Sequence, residues 1–198
     1  MKRTRIIYAA ASVATLAVIG GVFVGGALTK GQQDSHLGDD LSQIDTTLHS
    51  PASPISAQVR TAVTGATPEI DAASARPVMV RGDEVAYVAR SRSGPDRLCF
   101  FAAREEADGV WAGATCAPRE AVGAGRMVVQ LQTEAGSLDV ARTYYGLVPD
   151  GVRSVNASWS AHADVNQGVY ALERPNALDG GGTLNYEREG QTVTIPLG

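Results

Sequence analysis

The stretch YYGLVPDGVRSVNASW, residues 144–159, decides how the rest of the chain reads. Two runs with the look of half-buried strand flank Val148-Pro149-Asp150-Gly151-Val152. Proline fixes φ near −65° and suits the first central position of a turn. Pro149 therefore takes that place in a predicted type I turn, Asp150 takes the second, and Gly151 supplies the positive φ of a bulge. Strand resumes with Val155, Ala157, Trp159 and Ala161 on one face. In Pro-Asp-Gly a carboxylate is a turn residue far more often than a catalytic one, so Pro149, Asp150 and Gly151 are assigned a structural role.

Outward from this point the pattern repeats. Nine of the eleven aromatic residues fall between Tyr87 and Tyr186, which places the core there. Short apolar runs (EVAYVAR, RLCFFAA, GVWAGAT, RMVVQLQ, GVYALE, TLNYER, TVTIPL) are separated by Gly, Pro and Asp turns. Met127, Val129 and Leu131 alternate onto one face, as do Val193, Ile195 and Leu197. Such spacing predicts an all-β domain over residues 77–198, an antiparallel sandwich or small barrel, with one helical turn near APREAV.

The preceding residues differ in kind. Residues 6–29 contain 24 residues without a charge, between Lys2, Arg3 and Arg5 on one side and Lys30 on the other. As a helix this run is about 36 Å long, enough for a hydrocarbon core of roughly 30 Å. The expectation is a signal-anchor, with residues 1–5 cytoplasmic and the C-terminal domain extracytoplasmic. Secretion after cleavage is the alternative, although the run is longer than a signal peptide's apolar region. Residues 30–76 are acidic, lack aromatics and read as a stalk. Two helical stripes lie within it. Leu41, Ile44 and Leu48 follow Asp39 and Asp40. Ile55, Val59 and Val63 follow a predicted cap at Ser53 with Pro54 in the first turn, and Gly65 would end the helix. Each helix is too short to stand alone, so docking on the β domain is expected.

The stretch YYGLVPDGVRSV, with DVNQGVYAL and the terminal YEREGQTVTIPL, resembles uncharacterised actinobacterial membrane-anchored secreted-domain proteins that share a GLVPDGV stretch. Gln167 and Gly168 depart from that pattern after Asn166. The resemblance implies a membrane-anchored topology and brings no activity.

Seventeen cationic and 21 acidic side chains give a net charge of −4, and no concentrated basic surface suits nucleic acid. Cys99 and Cys116 are the only cysteines; on an oxidised side of the membrane they read as a structural disulfide across a hairpin. The sequence points to no metal and no cofactor. His36 and His49 are isolated. Ser160, His162 and Asp164 alternate along a predicted strand, where rise alone separates them by about 6.8 Å, too far for a proton relay. The glycine-rich DGGGT and GAGR run into strand rather than helix, unlike phosphate loops. The sequon at Asn156 lies within predicted strand. Tyr144, Tyr145, Trp159 and Tyr170 are candidates for a carbohydrate-stacking surface, with core packing as the competing assignment. The functional expectation is a membrane-anchored binding or envelope-associated scaffold protein that contacts the membrane through residues 6–29 and an envelope protein or cell-wall polymer through its outer domain. The alternative is a cell-envelope-acting hydrolase or transferase with a site assembled from distant residues.

Overall fold

The computed structural model describes residues 7–8, 41–132, 142–175 and 182–197. In chain order the elements are strand β1 (Ile7–Tyr8), helices α1 (Ser42–His49) and α2 (Ala57–Ala66), strands β2 (Arg76–Arg81), β3 (Glu84–Arg90), β4 (Arg97–Glu106) and β5 (Gly109–Pro118), the short helix α3 (Glu120–Gly123), then β6 (Val128–Gln132), β7 (Arg142–Leu147), β8 (Ser154–Ala157), β9 (His162–Asp164), β10 (Val169–Arg174), β11 (Gly182–Arg188) and β12 (Gln191–Leu197). The all-β class holds. Three sheets form it: a first sheet ordered β1-β5-β4-β3-β2, a middle sheet β10-β7-β6, and an outer sheet β12-β11-β8-β9. All pairings are antiparallel except the two-residue contact of Ile7 and Tyr8 with Trp111 and Ala112.

Side-chain alternation stacks these sheets. On β4, Leu98, Phe100 and Ala102 face the middle sheet, where they meet Val129 and Leu131 of β6 and Tyr145 and Leu147 of β7. The intervening Cys99, Phe101 and Ala103 face the other way, onto Val59, Ala62 and Val63 of α2. The far side of the middle sheet offers Tyr144, Tyr170 and Leu172 to Val155, Leu184, Tyr186 and Ile195 of the outer sheet. The β4 and β7 strands are thus buried on both faces, whereas β12 alternates buried and exposed positions. That is the pattern of a sheet with one face in water.

Both helical stripes dock. Leu41, Ile44 and Leu48 join the core between the first and middle sheets, and Ile55, Val59 and Val63 cover the opposite face of the first sheet. The stalk reading of residues 30–76 is therefore corrected: from residue 41 the chain belongs to the folded body, and residues 30–40 lie outside the described residues. Low aromatic content misled the boundary, because these segments bury aliphatic stripes against aromatics supplied from elsewhere. The cap of α2 is also displaced. Ser56, three residues beyond Ser53, accepts the Val59 amide at 3.1 Å, and Gly65 lies inside the helix.

The turn at residue 150 differs from expectation in two respects. The Val152 amide donates to the Pro149 carbonyl at 3.4 Å, so Asp150 and Gly151 are the central pair, and Gly151 has φ +85°. Positive φ at the second central position is the demand of a type II turn, met by glycine. The strands on either side do not form a hairpin. Both edges of β7 are taken, by β6 and β10, so the chain leaves the middle sheet and β8 pairs with β9 and β11.

Asp150 has a second role. Helix α1 begins at Leu41, which has no side-chain acceptor to cap it. Asp150 supplies one from 108 residues downstream: its Oδ2 accepts the Ser42 amide at 2.7 Å and the Ser42 hydroxyl, and Oδ1 accepts the Gln43 amide at 3.5 Å. A carboxylate there satisfies free amides and meets the positive end of the helix dipole.

Cys99 and Cys116 stand directly opposite on β4 and β5 and form a disulfide, with Cα atoms 4.1 Å apart. Among the described residues no helix is long and apolar enough to cross a membrane. Apart from Ile7–Tyr8, the run over 6–29 lies outside the described residues.

Two outcomes follow. Asp150→Ala removes the cap of α1 and lowers stability by about 1 kcal/mol, read as a fall of roughly 2–4 °C in the unfolding midpoint, while Asp150→Asn keeps most of it. Reduction of Cys99–Cys116, which closes a sequence separation of 17, costs about 3 kcal/mol and is read by denaturant melts with and without reductant.

Candidate binding site

The turn between β8 and β9 builds the site. The Ser160 amide donates to the Ala157 carbonyl at 3.0 Å, and the Ala157 amide to the Ala161 carbonyl at 2.8 Å, which leaves Ser158, Trp159 and Ser160 as a three-residue loop. Ser160 occupies the left-handed region with φ +63°, as the third position of such a loop requires. A serine there is strained, on the order of 1 kcal/mol. The loop holds the Trp159 indole over β10. Its Nε1 donates to the Glu173 carbonyl at 2.9 Å, and the Arg174 guanidinium lies 5.4 Å from its ring centroid. That is cation–π distance.

Around this indole opens a cleft of about 660 Å³ whose walls include Arg81, Ser160, His162, Leu172 and Glu173. The volume falls within the range of small-ligand sites. On its rim Arg81 pairs with Glu173 at 2.5 Å. This bond, more than any other influence, raises the guanidinium above its ordinary range. Behind the indole stands the Tyr144 ring, 5.9 Å away and tilted by 43°.

The four aromatics proposed for a stacking surface do not share one. Tyr144, Tyr145 and Tyr170 are 3 %, 0 % and 0 % exposed, and only Trp159 reaches the cleft. Strand alternation explains the separation. Tyr144 and Tyr145 are neighbours in sequence and so point to opposite sides of the middle sheet, while Tyr170 lies across Gly146, where a Cβ would sit 2.2 Å from the Tyr170 hydroxyl.

Ser160, His162 and Asp164 also fail to assemble into a relay. His162 Nδ1 meets Asn156 Oδ1 at 2.9 Å and its Nε2 lies 3.5 Å from Asp164 Oδ1, so the ring is turned to these two side chains and not to Ser160. Asn156, the sequon residue, thus serves as a cross-strand partner of His162. Among the described residues no cluster of His, Cys, Asp and Glu suits a metal.

A second polar group was not anticipated from the sequence. Glu84 and Arg104 face each other across β3 and β4, both about 5 % exposed, and are 3.2 Å apart. Arg104 also reaches Glu106 at 2.9 Å and the Gln132 carbonyl at 3.3 Å, while the Tyr145 hydroxyl donates to Glu84. Arg104, which directly continues the apolar run LCFFAA (98–103) and precedes Glu105 and Glu106, was the available signal, since a buried cation needs partners.

Burial is the largest cause holding the Tyr145 and Tyr170 phenols well above their ordinary value; for Tyr145 the bond to Glu84 adds to it. The linkage sign is fixed by this direction. In the unfolded chain tyrosine ionises near pH 10, and above that pH the unfolded state loses protons that the folded state keeps. The stabilisation is complete below pH ~10 and declines as pH rises beyond it. Urea melts between pH 8 and 11 are expected to show a falling midpoint above pH ~10, diminished in Tyr145→Phe.

No family model matches the chain, and no curated protein or solved structure matches it.

Proposed function

We propose that the protein is a binding module held at the membrane by residues 6–29, and that its Trp159 cleft takes a component of the cell envelope, a cell-wall polymer first. One observation carries the reading. An indole stands in an open cleft of about 660 Å³, backed by a second aromatic ring and rimmed by Arg81, Glu173 and His162. Planar polar groups beside an aromatic ring are what hydroxyl-rich ligands use: the ring takes their C–H faces and the polar groups their hydroxyls. A hydrolase or transferase would pair a nucleophile with its base, and His162 meets Asn156 and not Ser160, which favours binding.

The anchor reading rests on the 24 uncharged residues and their flanking cations. It takes Ile7 and Tyr8 into the apolar run and away from the edge of β5. A two-residue pairing is a small loss beside burial of such a run in hydrocarbon, where each Leu, Ile, Phe or Val contributes about 0.3–0.6 kcal/mol. The disulfide agrees with an extracytoplasmic body, as does the resemblance carried by GLVPDGV.

The test is co-sedimentation of the detergent-solubilised full chain with insoluble cell-wall polymer. Wild type is expected in the pellet, and Trp159→Ala is expected to bind about fivefold more weakly or worse, the equivalent of about 1 kcal/mol, with an unchanged far-ultraviolet circular dichroism spectrum. Equal retention of both proteins, or of neither, overturns the assignment. Turnover of the polymer that is lost in His162→Ala would establish the enzyme instead.

A further inference from the structure

Tyr144 lies outside the cleft lining, beside the Trp159 indole. Its hydroxyl is buried with no hydrogen-bond partner, which in a folded protein costs stability and calls for a reason. The Tyr170 hydroxyl is also unpartnered, but it lies against Gly146 inside the middle sheet. Tyr144 is placed differently. It sits directly across the strand pair from Leu172, a wall of the cleft, and its ring lies 5.9 Å from the Trp159 indole that borders that cleft.

The Trp159 indole packs beside the Tyr144 ring, and the loop that carries it is tied to β11 at Ser158, whose amide donates to the Thr183 carbonyl at 2.9 Å and whose hydroxyl accepts the Thr183 amide at 3.0 Å. Trp159 rides on a three-residue loop whose last residue is in a strained conformation, between β8 and the three-residue edge strand β9. The indole's own polar tether is one hydrogen bond to the Glu173 carbonyl; Arg174 rests against its face, and the six-membered ring lies against Gly182, where a Cβ would sit 2.8 Å from it. Strain, a short edge strand and an unsatisfied hydroxyl on a ring that packs against an indole occur together here and nowhere else among the described residues. Strained backbone persists where the surroundings over-determine it, and such positions cluster at ligand clamps.

Resting on the cleft reading above, we propose that Trp159 is a movable cover, and that a pyranose ring enters beneath it with a ring hydroxyl hydrogen-bonded to the Tyr144 phenol. The class follows from the groups present. A pyranose offers an apolar C–H face to the displaced indole and hydroxyls that act as donor and acceptor, which suits a phenol able to do both. Arg81, Glu173 and His162 stand at the rim for the neighbouring residues of a chain.

The two roles of Tyr144 predict opposite effects of one substitution, which a merely structural tyrosine would not show. The protein has two tryptophans, so the full-length Trp111→Phe variant in detergent leaves Trp159 as the sole indole reporter. It is titrated with tetramers of N-acetylglucosamine, galactose and mannose. At least one is expected to shift the Trp159 emission saturably. Adding Tyr144→Phe is expected to weaken that binding about tenfold, the loss of one ligand hydrogen bond, while the thermal midpoint stays level or rises because an unsatisfied hydroxyl has gone. If a tetramer binds and Tyr144→Phe binds it equally well, the hydroxyl subsite is wrong and the Trp159 cleft stands. If calorimetry detects binding with no change in Trp159 emission, the moving cover is wrong. If none of the three binds, cover and cleft fall together.

Discussion

Strand β7 is the constraint on which the architecture depends. It has neighbours on both edges and protein on both faces, so past the exposed Arg142 every residue of it is buried. Its backbone groups are satisfied by β6 and β10, and its side chains must suit two different cores at once. Consecutive tyrosines do so. Tyr145 turns toward the first sheet and donates to Glu84, and Tyr144 turns toward the outer sheet and backs Trp159. One strand therefore carries a partner of the charged interior and a ring that packs against the cleft's indole. A slip of one residue would exchange the two faces and bury each phenol in the wrong core.

The charged interior acts on arrangement more than on stability. Desolvating Glu84 and Arg104 offsets most of their attraction, so the pair is a weak source of folding energy, whereas losing one member would strand the other. Its partners come from β3, β4, the last residue of β6 and, through Tyr145, β7. Satisfying all of them requires the first and middle sheets to meet in one alignment. The apolar contacts around it, among Leu98, Phe100, Val129 and Leu131, tolerate several. The same division of labour holds at Asp150, where a polar contact fixes the position of a helix whose burial energy comes from Leu41, Ile44 and Leu48.

Much of this was legible in the sequence, and the remainder was hidden for definable reasons. Period-two alternation gave the strands, and the stripes at i, i+3, i+7 (Leu41, Ile44, Leu48) and i, i+4, i+8 (Ile55, Val59, Val63) gave the two docking helices, because those signals are local. The cysteine pair was legible because it spans a single hairpin. Sheet membership was not. The stretch from Tyr144 to Trp159 reads as strand–turn–strand in either a hairpin or a crossover, and the occupied edges of β7, which decide between them, are contributed by residues 128–132 and 169–174. The work of Asp150 was hidden in the same way, since a turn residue and a helix cap are the same aspartate until the helix is placed beside it. Of the four aromatics, alternation alone separates Tyr144 from Tyr145, but only the β8–β9 loop brings Trp159 into the open.

The tertiary cap also orders events during synthesis. Helix α1 has eight residues, too few to persist unaided, and the carboxylate that completes it is encoded 108 positions later. While the chain emerges vectorially, the segment next to the N-terminal apolar run must wait, uncapped, until three quarters of the polypeptide has been made. The part of the body nearest the start of the chain is thus the part that ribosomal output can finish only late, and a truncated product ending before Asp150 would leave that helix without its cap.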